Sequence, residues 1–132
     1  VLQDFVPDVL QTDADDFEDL DVPAAVKCWP VYRDSNMVTG TELNKVTGTY
    51  LYEGRRSGSG ETVDWAAAAL VAKRGNMILA GGLSVANVAE AITTVRPFGV
   101  DVSSAVEVAP GEKDTGLIRE FISAAKAAGK NL

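Results

Sequence analysis

Histidine is absent from all 132 residues, and cysteine occurs once, at Cys28. Without histidine the chain has no imidazole base, no histidine-containing triad and no histidine metal ligand. A single cysteine makes neither an internal disulfide nor a structural zinc site, and no metal is expected. One unpaired thiol fits a reducing cytoplasm. Long hydrophobic runs are missing as well. No stretch approaches the roughly 20 apolar residues of a membrane span, and no basic segment leads into an apolar one as in a secretory signal. Positive charge is scarce, with 12 Lys and Arg against 19 Asp and Glu and a net charge of −7. That balance repels phosphate backbones and argues against a nucleic-acid partner. It leaves open a small phosphorylated ligand, which local backbone donors hold whatever the distant surface charge. The acidity favours solubility or matches a salty cytoplasm.

The remaining composition, 46% hydrophobic and 23% charged, is that of a globular domain with a modest core. The chain begins at Val1 and enters a strand-like segment almost at once. The expectation is a single domain over residues 1–132 that is a fragment, a processed chain or one piece of a larger assembly.

Strand-like and helix-like runs alternate. Pro7 to Gln11 reads as a strand, and Asp13 to Leu20 as a short helix or turn with Asp13 as N-cap. Ala24 to Trp29 reads as the next strand, ended by Pro30. Asp34 to Val46 is a loop with a weak helix near Thr41–Lys45. Thr49 to Tyr52 is β-branched and aromatic, hence strand, and runs into a polar loop through Gly60. Asp64 caps an Ala-rich helix from Trp65 to Lys73. Met77 to Ala80 is a strand, and Ser84 caps a helix from Val85 to Val95. Val100 to Val102 is the last strand. Asp114 opens a final helix in which Leu117, Ile118, Phe121, Ile122 and Ala125 fall at helical spacing.

Five β-α units imply an α/β fold with a parallel sheet, either open and doubly wound or part of a (β/α)8 TIM barrel. No G-x-G-x-x-G follows the first strand, which disfavours a dinucleotide fold. Two late strand-to-helix corners are rich in small residues: Gly81-Gly82 after Leu79-Ala80, and Ser103-Ser104 after Gly99-Val100-Asp101-Val102. Small residues let a ligand approach the backbone, and a following helix start supplies donors. Paired phosphate corners after the last two strands are the barrel arrangement. Gly81, Gly82, Ser103 and Ser104 are therefore the candidate phosphate ligands. Asp101 falls near the pocket or inside the barrel, where a buried carboxylate must be hydrogen-bonded; its first reading is structural, and it is carried as a substrate-binding candidate as well.

Several ordered motifs resemble phosphoribosylanthranilate isomerase, a tryptophan-pathway (β/α)8 barrel family. Gly58-Ser59-Gly60 followed by Val63-Asp64-Trp65 is similar to its G-[TS]-G-x-x-[FH]-D-W loop. Leu79 to Leu83 with Asn87-Val88 resembles L-A-G-G-L-x-x-x-N-V. Gly99 to Glu107 resembles G-V-D-V-S-S-G-V-E, with Ala105 for the glycine. Pro110 to Asp114 resembles P-G-x-K-D. The resemblance implies that the chain carries strands four to eight, from Pro7 to Ala128.

It also implies an Amadori rearrangement of an aminoaldose phosphate to an aminoketose phosphate, on a small sugar-phosphate substrate in the cytoplasm. An acid protonates the ring oxygen and opens the furanose, and a base removes the proton beside the resulting imine. Neither step needs a metal or redox cofactor, and no cofactor is expected. Glu53 stands where the family has an aspartate as general acid, so it is the catalytic candidate. Gly58, Ser59 and Gly60 are substrate-binding candidates on a loop over the sugar, flanked by Arg55 and Arg56 that could attract an anion. The family's cysteine base and carboxylate-binding arginine lie on early strands with no counterpart here, and Cys28 does not match the base. Thr12-Asp13 replaces a histidine-glycine pair. These departures keep a second expectation open: a non-catalytic half-barrel that retains only the phosphate grip. An epimerase-type barrel is a third, disfavoured by the lack of histidine. Five strands cannot close an eight-stranded barrel, so a companion N-terminal segment or a second copy of the chain is expected to complete it.

Overall fold

The computed structural model describes residues 4–33, 46–54 and 62–132. Five short strands run parallel in one sheet: β1 (Val9–Asp13), β2 (Lys27–Arg33), β3 (Thr49–Glu53), β4 (Asn76–Leu79) and β5 (Gly99–Val100). Their spatial order is their chain order, β1-β2-β3-β4-β5. A doubly wound sheet reverses order at a switch point, whereas a barrel wall does not. The fold is thus α/β and a partial (β/α)8 barrel, with the barrel unclosed: β1 pairs only β2 and β5 only β4 among the described residues.

Three α-helices cover one face: α1 (Trp65–Val71), α2 (Val88–Val95) and α3 (Thr115–Lys130). Each start has a local cause. The Asp64 carboxylate accepts from the amides of Ala66 and Ala67 at 3.0 and 3.2 Å, and Asp114 accepts from Leu117 at 2.9 Å, so two orphan helix ends are satisfied. No helix is long and apolar enough to cross a membrane among the described residues.

Residues of alternate parity on a strand point to opposite faces. Tyr50, Tyr52, Met77 and Leu79 point toward the helices and are fully buried against Val88, Ala91, Val95 and Phe121. Val31, Leu51 and Ala80 form a smaller cluster with Trp29 and Ile78 on the other face. That second face is the barrel interior. Burial on both faces explains why β3 reads as a continuous apolar run.

Several boundaries differ from the sequence reading. β2 runs through Pro30 to Arg33 rather than stopping before it; the β2–β3 ladder begins only at Val31, so β3 asks no hydrogen bond of the missing proline N–H. Between β1 and β2 stands a 3-10 helix, Ala14–Glu18, whose N-cap Asp13 makes no side-chain cap bond. α1 stops at Val71, two residues short of Lys73. α2 starts at Val88, with Asn87 rather than Ser84 in the N-cap position and no side-chain cap bond. β5 ends at Val100, and the chain then forms a 3-10 turn, Ser104–Val106, and a small antiparallel pair, β6 (Glu107–Ala109) with β7 (Glu112–Lys113). Ile122, expected in the core, is 46% exposed. The expected helix near Thr41–Lys45 and the Arg55–Arg56 pair lie outside the described residues.

Candidate functional site

At the C-terminal end of the sheet lies a cavity of about 720 Å³, lined from β1, from the end of β3 and from the segments after β4 and β5. Strand register determines which side chains reach it. Trp29, Val31 and Leu51 face the barrel interior, and Asp13, Arg33 and Glu53 follow in the same parity at the last positions of β1, β2 and β3. Glu53 lines the cavity together with Gln11, Gly81, Gly82, Asp101, Ser103 and Ser104. All six described site candidates from the sequence are therefore in one place. Gly58, Ser59 and Gly60 lie outside the described residues.

The first corner, after β4, owes its shape to two glycines. Gly81 and Gly82 have φ of +94° and +66°, a region that side chains disfavour. Asn87 locks the corner from the other side. Its Oδ1 accepts from the Ser84 amide at 2.8 Å and its Nδ2 donates to the Gly82 carbonyl at 2.9 Å. The backbone of the second corner follows β5: the Asp101 amide donates to Leu79 at 2.9 Å, and the chain turns at Ser103 into the 3-10 turn. Neither the Gly82 nor the Ser104 amide donates to a protein acceptor among the described residues.

Charge around the cavity is unevenly placed. Among its described lining residues, Glu53 and Asp101 are carboxylates and none is a cation. Asp101, expected to be buried and hydrogen-bonded, is instead solvent-exposed; partial desolvation at the cavity pushes its carboxyl up from the usual value, and the Glu53 charge adds to that, while Lys113 opposes it. Arg33 forms a clamp at the rim. It pairs with Glu53, donates to the Gly54 carbonyl at 3.3 Å and bonds Asp13 Oδ1 at 2.8 Å. Its partners hold the guanidinium above its ordinary value, against the desolvation that would lower it. Glu53 is the more enclosed partner, with 13% of its side chain exposed.

Three contributors escaped the sequence reading: Arg33, Asn87 and Lys113. The motifs around the last two, L-A-G-G-L-x-x-x-N-V and P-G-x-K-D, carried a signal for them. Arg33 had none, since its contacts arise from strand register. Thr12-Asp13 also finds its reason here. Asp13 serves Arg33 instead of capping a helix, and Thr12 Oγ1 donates to Asp16 at 2.6 Å.

The family model for N-(5'-phosphoribosyl)anthranilate (PRA) isomerase matches residues 10–124. An N-(5'-phosphoribosyl)anthranilate isomerase of Roseiflexus castenholzii is 56% identical over 77 residues, covering 58% of this chain and 36% of the relative. That of Haloferax volcanii is 40% identical over 131 residues, covering 92% of this chain and 59% of the relative. A solved phosphoribosyl anthranilate isomerase in complex with reduced 1-(o-carboxyphenylamino)-1-deoxyribulose 5-phosphate superposes with a TM-score of 0.68 at 28% identity, covering 91% of this chain and 60% of that one. The chain thus spans about a third to three-fifths of the length of these curated relatives.

Proposed function

The chain belongs to the N-(5'-phosphoribosyl)anthranilate isomerase family, and from that premise we propose that it supplies the phosphate-gripping and acid-bearing part of such an isomerase. The observation that carries this is the convergence of Gly81-Gly82, Ser103-Ser104 and Glu53 on one cavity. In this reading residues 1–132 are one domain, the C-terminal portion of a (β/α)8 barrel. The substrate is N-(5'-phosphoribosyl)anthranilate and the product an aminodeoxyribulose phosphate, an aldose-to-ketose change in the tryptophan pathway of the cytoplasm.

The amides and hydroxyls of the two corners hold the 5'-phosphate, since backbone donors bind an anion regardless of net charge. Asp101 accepts from a sugar hydroxyl. Glu53 protonates the furanose oxygen as the ring opens, and Gly58, Ser59 and Gly60 close over the sugar. The proton beside the imine is taken by a base from outside this chain. A companion N-terminal segment, or a second copy of the chain, completes the wall beside β1 and β5. Anchoring the phosphate fixes the reacting carbon against the acid, and a misplacement of about 1 Å costs roughly 100-fold in rate.

The Arg33 clamp favours a second reading. One Glu53 oxygen is engaged by the Arg33 guanidinium at the end of β2, so the carboxylate has a structural partner of its own and this chain would be a phosphate-binding module without turnover. One experiment separates the two. The isomerisation is assayed by product fluorescence or absorbance with this chain plus a segment bearing strands one to three of a relative. Turnover that is lost in Glu53→Gln supports the isomerase. Ligand binding with no turnover supports the module, and turnover unchanged in Glu53→Gln removes Glu53 as the acid.

A further inference from the structure

The cavity poses an electrostatic problem. Its described lining holds two carboxylates and no cation, yet the reading above seats a phosphate there. The nearest compensation comes from behind the second corner. Lys113, on β7, lies opposite Glu107 of β6 in the antiparallel pair. Its Nζ donates to the Ser103 carbonyl at 2.9 Å, lies 3.4 Å from Ser103 Oγ and bridges to Glu107 Oε2 at 2.9 Å. The Ser103 carbonyl also accepts from the Val106 amide at 3.4 Å, and the Asp114 amide donates to the Val106 carbonyl at 2.8 Å. The β7 end of the small β6–β7 hairpin is therefore fastened to both ends of the Ser103–Val106 turn. A charge-assisted bond to a carbonyl at a turn is stronger than a neutral one and fixes the direction of the peptides beside it.

We propose that Lys113 is the positioning cation of the phosphate site. It does not line the cavity; it holds the Ser103 carbonyl back, so that the amides beyond it face the cavity, and it brings one positive charge to a corner crowded by Asp101. The proposal rests on the phosphate reading of the two corners. Lys113 is 44% exposed on its side chain, so the hairpin presents it from the solvent side and replacing it leaves the core untouched. Glu107 is the opposing partner, which draws part of that charge away from Ser103. Its carboxyl is held below the usual range, first by the hydrogen bond from Lys113.

The test is binding of inorganic phosphate to the intact chain at low ionic strength, followed by calorimetry or by amide shifts. Lys113→Met is expected to weaken phosphate binding about tenfold, the scale of one lost charge-assisted bond, with little change in melting temperature. Lys113→Arg is expected to restore binding to within about threefold, because its guanidinium also donates to Ser103. Glu107→Gln removes the opposing charge while its amide oxygen can still accept from Lys113, and is expected to tighten binding by about twofold. It also decides the matter should Lys113→Met fail to fold. Binding by folded Lys113→Met as tight as that of the unaltered chain, or no tightening in Glu107→Gln, overturns the role of Lys113 while leaving the phosphate site in place. Absence of phosphate binding by the unaltered chain overturns the site itself and the proposal with it.

Discussion

Arg33 and Glu53 are direct partners across the β2–β3 ladder, and their side chains form an ion pair at the mouth of the barrel interior. The same guanidinium reaches Asp13 at the end of β1, so three adjacent strand ends are tied by one side chain. Arg33→Met is expected to lower the unfolding free energy by about 1–2 kcal/mol, a figure reduced from that of a fully buried pair because both partners retain some water. In a double-mutant cycle with Glu53→Gln, a coupling of about 1 kcal/mol is expected from urea titrations.

Asp13 offers a sharper check on the same clamp. As a helix cap its loss would act locally; as a partner of Arg33 it acts only when Arg33 is present. Asp13→Ala is expected to cost about 0.5–1 kcal/mol in the unaltered chain and close to nothing in Arg33→Met. Asp114→Ala, at a true N-cap, is expected to cost about 0.5–2 kcal/mol in either background. Thermal melts of the three single and two double variants settle the comparison.

The corner after β4 depends on backbone that only glycine adopts freely. Gly82 has φ of +66°, and Gly82→Ala is expected to cost about 1–3 kcal/mol through that strain. Phosphate affinity should fall with it, as the corner relaxes away from the cavity. Denaturant titration and phosphate calorimetry on the same sample read both effects.

Asp101 gives a pH dependence of known sign. Its carboxyl is pushed up in the folded chain by partial desolvation at the cavity, though the residue stays exposed, and by the Glu53 charge. Between its unfolded and folded values the folded state binds more protons than the unfolded state. Its contribution to stability therefore falls as pH rises through that window and stays lowered above it. Asp101→Asn is expected to flatten that part of the stability profile above about pH 4 and to leave the chain no less stable at neutral pH. Melting temperatures from pH 3 to 7 check this.

What could be read from the sequence was whatever the local backbone dictates. Gly81-Gly82 and Ser103-Ser104 announce tight corners because the small residues and their conformations are themselves the feature. Asp64 and Asp114 announce helix starts for the same reason. Misreadings arose where a neighbour in space decides. Asp13 looked like a cap because its competitor, Arg33, stands 20 residues away. Pro30 looked like a strand end because the place where β3 begins to pair is invisible in one strand alone. Ser84 reads as a cap, but Asn87, three residues on, accepts its amide and the helix begins only at Val88. The β6–β7 hairpin was missed because strands of two and three residues carry no periodicity. Glu53 was found by position, but its pairing with Arg33 bears on its chemistry as much as its identity does.

The central claim, that the two corners grip one phosphate, is tested most directly by amide spectra of the intact chain titrated with ribose 5-phosphate and, separately, with ribose. The expected result is a saturable shift of the Gly82, Leu83, Ser104 and Ala105 amides with ribose 5-phosphate and none with ribose. Shifts confined to other parts of the chain, or equal responses to the two sugars, would contradict it.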